Sequence, residues 1–174
     1  MADDQLAQSR EDHQEEGRKL TSHLTMWKTE RDDSGGVTWT QFVANRNLEP
    51  VIVYLKIASE ELWTQPNGRI AKRPLAGMVL LGTIPPCTRY EIPYSVLETQ
   101  VSPRFRLTFW SIASLVAAEP SGTLWQRLPG GDIKSLTARD RRDIALAEKE
   151  IYVPAPLEAK DSKATGLTPC GSTN

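Results

Sequence analysis

Histidine and cysteine are scarce in this chain, two of each in 174 residues, and that scarcity removes much of the chemistry a sequence can announce. His13 and His23 fall in a polar N-terminal stretch of helical composition, away from the β-rich centre, so no base stands ready for a serine or cysteine nucleophile. The two are read as facing different ways on one helix, and no cysteine or aspartate cluster completes a metal shell. Cys87 sits in a Pro-Pro turn and Cys170 in a polar tail; their spacing suggests neither a disulfide framework nor a zinc site, and a reducing compartment fits. No run approaches eighteen apolar residues, and the first residues have neither a basic n-region nor an apolar h-region. The expectation is a cytoplasmic protein with no signal peptide and no membrane span. The chain also lacks GxxxxGK[ST], GxGxxG, HExxH and GxSxG, and shows no repeat at a period of 20–50 residues. A net charge of −1 leaves no global field to concentrate nucleic acid or anionic lipid. No catalytic residue, no cofactor and no metal is therefore assigned.

What is present is a β-rich centre. In 51–57, Val51, Val53, Leu55 and Ile57 alternate with Ile52, Tyr54 and Lys56, the period of a half-buried strand, and 37–43 places Val37, Trp39 and Val43 on one face. The turn formers from Asn45 to Pro50 between them predict a core hairpin. Residues 78–84 and 89–93 read as a further strand and its partner; 104–109 alternates cleanly around Phe105, Leu107 and Phe109; 112–118 is ambiguous between strand and helix. The segments 123–128 and 132–136 flank Pro129-Gly130-Gly131, a hairpin at a sheet edge. Leu6, His13, Leu20 and Trp27 recur every seven residues in a helical stretch over 4–30, with Leu24 beside them, and Thr137-Ala138-Arg139-Asp140 opens a short helix at the other end.

These signals predict an all-β fold: an Ig-like antiparallel β-sandwich of about seven strands with an N-terminal helix and a short C-terminal helix. The predicted organisation is a helical arm over 1–30 with a disordered start, a sandwich over 31–136, a helix over 137–153 and a disordered tail over 154–174.

The run of a helix, Trp27, Asn45, the Pro50-Val51 strand start, "IPPCTRYEIP" with Pro85, Pro86, Tyr90 and Pro93, "RLTF" with Phe109, and "LWQRLPGGDIKSL" with Trp125, Arg127 and Gly131 resembles a group of uncharacterised actinobacterial proteins. In that group a helical, often membrane-proximal segment precedes a small β-sandwich. The resemblance covers residues 20–136 and implies a fold and a membrane-peripheral setting, but no activity.

For function, the long connection 59–77 stands out, because loops beyond about 12–15 residues are more often functional or disordered than inert. It holds Trp63, a Pro66-Asn67-Gly68 turn and the cations Arg69, Lys72 and Arg73. A tryptophan in an exposed loop is a candidate hot spot. The reading is a non-enzymatic protein-interaction module that presents this loop or an edge strand to a protein partner, with Trp63, Arg69, Lys72 and Arg73 as contacts and a homodimer through the N-terminal helix as a further expectation. Two alternatives stand beside it. One is a hydrolase-type enzyme using carboxylates such as Glu60, Glu61, Glu91 and Glu98; the other is a nucleic-acid or anionic-surface binder through the basic loop 69–73.

Overall fold

The computed structural model describes residues 2–33, 36–100, 110–137, 163–168 and 170. The chain is mostly antiparallel β-sheet, with an N-terminal helix and one short helix. In chain order the elements are α1 (Ala2–Ser22), β1 (Leu24–Asp33), β2 (Gly36–Asn45), β3 (Val51–Thr64), β4 (Ile70–Ile84), β5 (Thr88–Pro93), α2 (Tyr94–Gln100), β6 (Trp110–Ala118), β7 (Leu124–Arg127), β8 (Ile133–Ser135) and β9 (Lys163–Gly166). The strands form two sheets, β1-β2-β5-β9 and β4-β3-β6-β7-β8. Leu24, Val43 and Ile92 from the first share one buried cluster with Val53, Leu55, Leu81 and Leu115 from the second, which is where the alternating apolar residues of both sheets go. No described helix is long and apolar enough to cross a membrane.

Several expectations are corrected. The helix ends at Ser22 rather than running to residue 30, and it is helical from Ala2 onward where a disordered start was expected. Leu24–Asp33 is a strand because its side chains find partners across β2: Trp27 lies opposite Phe42 and stacks on it, ring centroids 5.1 Å apart, while Leu24 is fully buried in the common core. The 37–57 stretch is not a hairpin. β2 pairs with β1 and β5, and β3 with β4 and β6, so residues 45–51 carry the chain from one sheet to the other. For the same reason β5 is not the partner of β4. Residues 112–118 lie within β6, and β7–β8 form the hairpin around Pro129-Gly130-Gly131, with β8 at a sheet edge. The tail is not uniformly without structure, since Lys163–Gly166 pairs with β5. The expected strand at 104–109 and the helix over 137–153 fall, apart from Thr137, outside the described residues.

In β4, Leu81 and Gly82 together oppose Val53, a β-bulge, and Gly82 takes φ 87°, a conformation open to glycine at little cost. The bulge resets the alternation, so Val79, Leu81 and Ile84 are all buried, where an unbroken strand would have turned Ile84 away from the other two.

The corner between β2 and β3 is held by Asn45, which is fully buried. Its Nδ2 donates to the carbonyls of Glu49 (2.9 Å), Ile84 (3.0 Å) and Pro85 (3.1 Å), and its Oδ1 accepts from the N–H and side-chain amide of Asn47. One side chain thus joins the β2–β3 crossing to the β4–β5 crossing. A disulfide between Cys87 and Cys170 ties residue 170, beyond β9, to the turn before β5, and Leu167 N–H donates to Cys87 C=O at 2.7 Å. This corrects the expectation of two unpaired thiols.

α1 closes one side of the two sheets against β1, β7 and β8. Asn47 Nδ2 donates to Leu20 C=O at 3.0 Å, and the Arg127 guanidinium donates to the carbonyls of Thr21 and Ser22, which supplies partners and positive charge at the helix C-terminus. The contact depends on Gly17. A Cβ there would overlap the indole of Trp125, a buried ring, and the carboxylate of Glu119. Gly-to-Ala in an exposed helix gains about 1 kcal/mol. Here the sign reverses, because the helix must lift off the ring or the ring must turn, and overpacking of that kind costs about 1–3 kcal/mol. Gly17→Ala is expected to lower the unfolding free energy by about 2 kcal/mol in urea titration and to alter the Trp125 indole N–H resonance.

Candidate functional site

Among the described residues β6 pairs with β3 as far as Ser59↔Trp110, and β3 and β4 pair out to Thr64↔Ile70. Beyond Ser59 the two strands continue as one antiparallel hairpin. The 59–77 connection is therefore a long hairpin arm rather than a loop, and no period announced it, because Ile70 shares one face with Lys72 and Ala71 the other with Arg73, without apolar–polar alternation. Its turn is built by Pro66-Asn67-Gly68: Gln65 N–H donates to Arg69 C=O at 2.8 Å, Gly68 N–H to Gln65 C=O at 2.9 Å, and Arg69 N–H to Asn67 Oδ1 at 3.0 Å.

Trp63, Arg69, Lys72 and Arg73 all lie on this arm, but not on one surface. Register places Trp63 opposite Ala71, with Arg73 further along that face; Leu62 opposite Lys72 and Thr64 opposite Ile70 share the other. Lys72 Nζ meets Glu60 Oε2 at 2.7 Å, and that hydrogen bond and charge hold the ammonium above the usual lysine range. The basic cluster is thus partly neutralised within the arm. Two residues outside the expected set prove more exposed than Trp63, which is 40% exposed: Leu62 at 64% and Ile70 at 73%. The arm presents apolar area on both faces.

The remaining candidates disperse. Glu60 is on the arm, Glu91 on β5 and Glu98 on α2, where Tyr94 is raised above the ordinary phenol range by burial first and by Glu98 second. His13 and His23 border one groove. The helix stops before His23, and the groove, of about 620 Å³, lies between α1, the β2–β3 corner and the β6–β7 turn, with Glu16, Glu49 and Glu119 along it. Among the described residues, no three His, Cys, Asp or Glu side chains converge as a metal shell. Comparison with family models, with curated proteins and with solved structures returns no match.

Proposed function

We propose that this chain is a protein-interaction module, an Ig-like β-sandwich that inserts its β3–β4 arm into a cleft on a protein partner. The observation that carries the reading is the exposure of Leu62, Trp63 and Ile70 together at the far end of the β3–β4 hairpin. Apolar side chains exposed on both faces of a hairpin are an aggregation hazard unless something covers them. The architecture draws support from strand order. β1-β2-β5 and β4-β3-β6-β7 follow the A-B-E and C′-C-F-G order of Ig-like domains, with β9 beside β5 where strand D lies. The nucleic-acid reading draws little support from an arm whose Lys72 is paired with Glu60. The homodimer reading through α1 fares similarly, because residues 5–16 are exposed and almost wholly polar, with no apolar seam. The Cys87–Cys170 bond favours an oxidising compartment over the reducing one that the cysteine count suggested.

The test places a photo-crosslinking benzophenone at position 69 of the full chain, in the turn of the arm, in lysate of the native host. One discrete adduct is expected, competed away by unlabelled wild-type chain. The Leu62→Ser/Ile70→Ser double variant should compete at least about 100-fold less well, the effect of losing hot-spot apolar anchors. Equal competition by both chains, or no discrete adduct, removes the arm as an interface.

A further inference from the structure

A second site lies away from the arm, at the end of the body where β1 and β2 face β6. Trp39, Tyr94 and Trp110 meet there from β2, α2 and β6. Ring centroids are 4.7 Å apart for Trp39 and Tyr94, 5.7 Å for Trp39 and Trp110, and 5.3 Å for Tyr94 and Trp110, the last pair stacked at 17°. A cluster serving only as core would be closed over. This one forms the wall of a cleft of about 580 Å³, which Met26 and Ile112 extend and Pro129 borders. That size, and an apolar wall carrying few polar groups, are those of small-molecule sites.

The polar groups narrow the ligand class. At the cleft, Lys28 Nζ donates to Glu30 Oε1 at 2.7 Å, so the two charges neutralise each other and attract neither anion nor cation. Gln41, 4% exposed, spends its side-chain N–H groups on the carbonyls of Trp27 (2.8 Å) and Phe42 (3.0 Å), so what it can offer a ligand is a carboxamide oxygen, an acceptor. A saccharide would bring hydroxyls on every edge into a cleft whose described side chains offer too few partners for them, and unpaired polar groups there are costly. An aromatic cage for a cation needs ring faces turned on a common centre, whereas Tyr94 and Trp110 turn faces on each other.

We propose that the Trp39–Tyr94–Trp110 cleft is a binding site for a neutral, planar aromatic molecule with a single hydrogen-bond donor, of the phenol or indole type, its ring against the aromatic wall and its donor directed to Gln41. The site is independent of the arm.

Five tryptophans give a direct readout, since the Trp39 and Trp110 rings line the cleft, the Trp27 ring stacks on Phe42 on the other face of its sheet, and Trp63 and Trp125 lie elsewhere. In ¹H–¹⁵N spectra of the full chain, 2-naphthol is expected to shift the Trp39 and Trp110 indole N–H signals saturably, with Kd of about 0.1 mM or tighter, and to leave the other three in place. Naphthalene, which lacks the donor, should bind at least about threefold more weakly. Ile112→Trp, enlarging a side chain that lines the cleft, and Pro129→Trp, filling it from the exposed turn, should each weaken 2-naphthol at least about tenfold while the Trp125 signal stays put. The proposal is overturned if no saturable shift occurs, if shifts centre on Trp63, if binding survives both filled variants, or if tetramethylammonium or cellobiose binds more tightly than 2-naphthol.

Discussion

Asn45→Asp destabilises the folded chain by about 4 kcal/mol at neutral pH, the size expected when a buried hydrogen-bonded network is broken and a charge is left in its place. The change is nearly isosteric, so the cost is electrical. The wild-type amide donates to three carbonyls, those of Glu49, Ile84 and Pro85, within a site that has no exposed surface. An aspartate has no N–H to give. Its carboxylate would face three partial negative charges without water, and the only relief is to take up a proton and donate one bond. The folded Asn45→Asp variant therefore favours the protonated form of the introduced carboxyl more than its unfolded chain does. A group whose folded-state pKa is raised retains its stability at low pH and loses it as pH climbs, so the deficit of Asn45→Asp should be smaller at pH 4 than at pH 7. Asn45→Ala removes the same bonds without adding a charge, costs about 3 kcal/mol, and shows no such pH dependence. Urea titrations of the three chains at both pH values distinguish the cases. Equal losses for the two variants at pH 7 would mean that water reaches the corner and that Asn45 does not hold it.

Asn45 also marks where the sequence stops being legible. The alternation of Val51, Val53, Leu55 and Ile57 identified β3 and its buried face, because a strand packed on one side writes its period into the chain. Pro129-Gly130-Gly131 identified the β7–β8 hairpin, because turn chemistry is local. The route from β2 to β3 was not legible. Asn45 to Pro50 reads as an ordinary turn, and only the carbonyls of Ile84 and Pro85, about forty residues on, turn it into a passage between sheets. β1 was misread because a seven-residue recurrence of Leu6, His13, Leu20 and Trp27 fits a helix, while the pairing of Trp27 with Phe42 is a cross-strand fact. The arm was legible as a candidate but not as a ribbon, since Pro74 and the cations around it imitate a loop. Pro74 is tolerated because β4 is an edge strand. The aromatic cleft left no trace in any local pattern: Trp39 and Trp110 are tryptophans in or beside strands, where packing is the ordinary role, nothing local singles out Tyr94, and only the packing of two sheets gathers them.

The disulfide is the other long-range device, and its removal is the second large effect. Cys87 and Cys170 are 83 residues apart, and closing a loop of that length restricts the unfolded chain by about 4.5 kcal/mol in the chain-entropy view. That figure is an upper bound here, for a structural reason. β9 is four residues long, mostly exposed, and among the described residues pairs with β5 alone. Once the bond is gone, the reduced chain has a cheaper option than global unfolding, which is to let β9 peel away and recover the freedom of the C-terminal segment while both sheets keep their common core. The Cys87→Ala/Cys170→Ala double variant should then lose about 3 kcal/mol of global stability, roughly 6–12 °C in Tm. Its β5 amides should exchange far faster than those of β3 and β6, because β5 becomes a sheet edge while β3 and β6 stay central. Hydrogen exchange decides between two pictures. Faster exchange confined to β5 and β9 means that the bond is a clasp on a weakly held strand. Uniform acceleration across β3, β5 and β6 means that β9 and the body unfold as one cooperative unit, and that its ladder with β5 holds far more firmly than four exposed residues suggest.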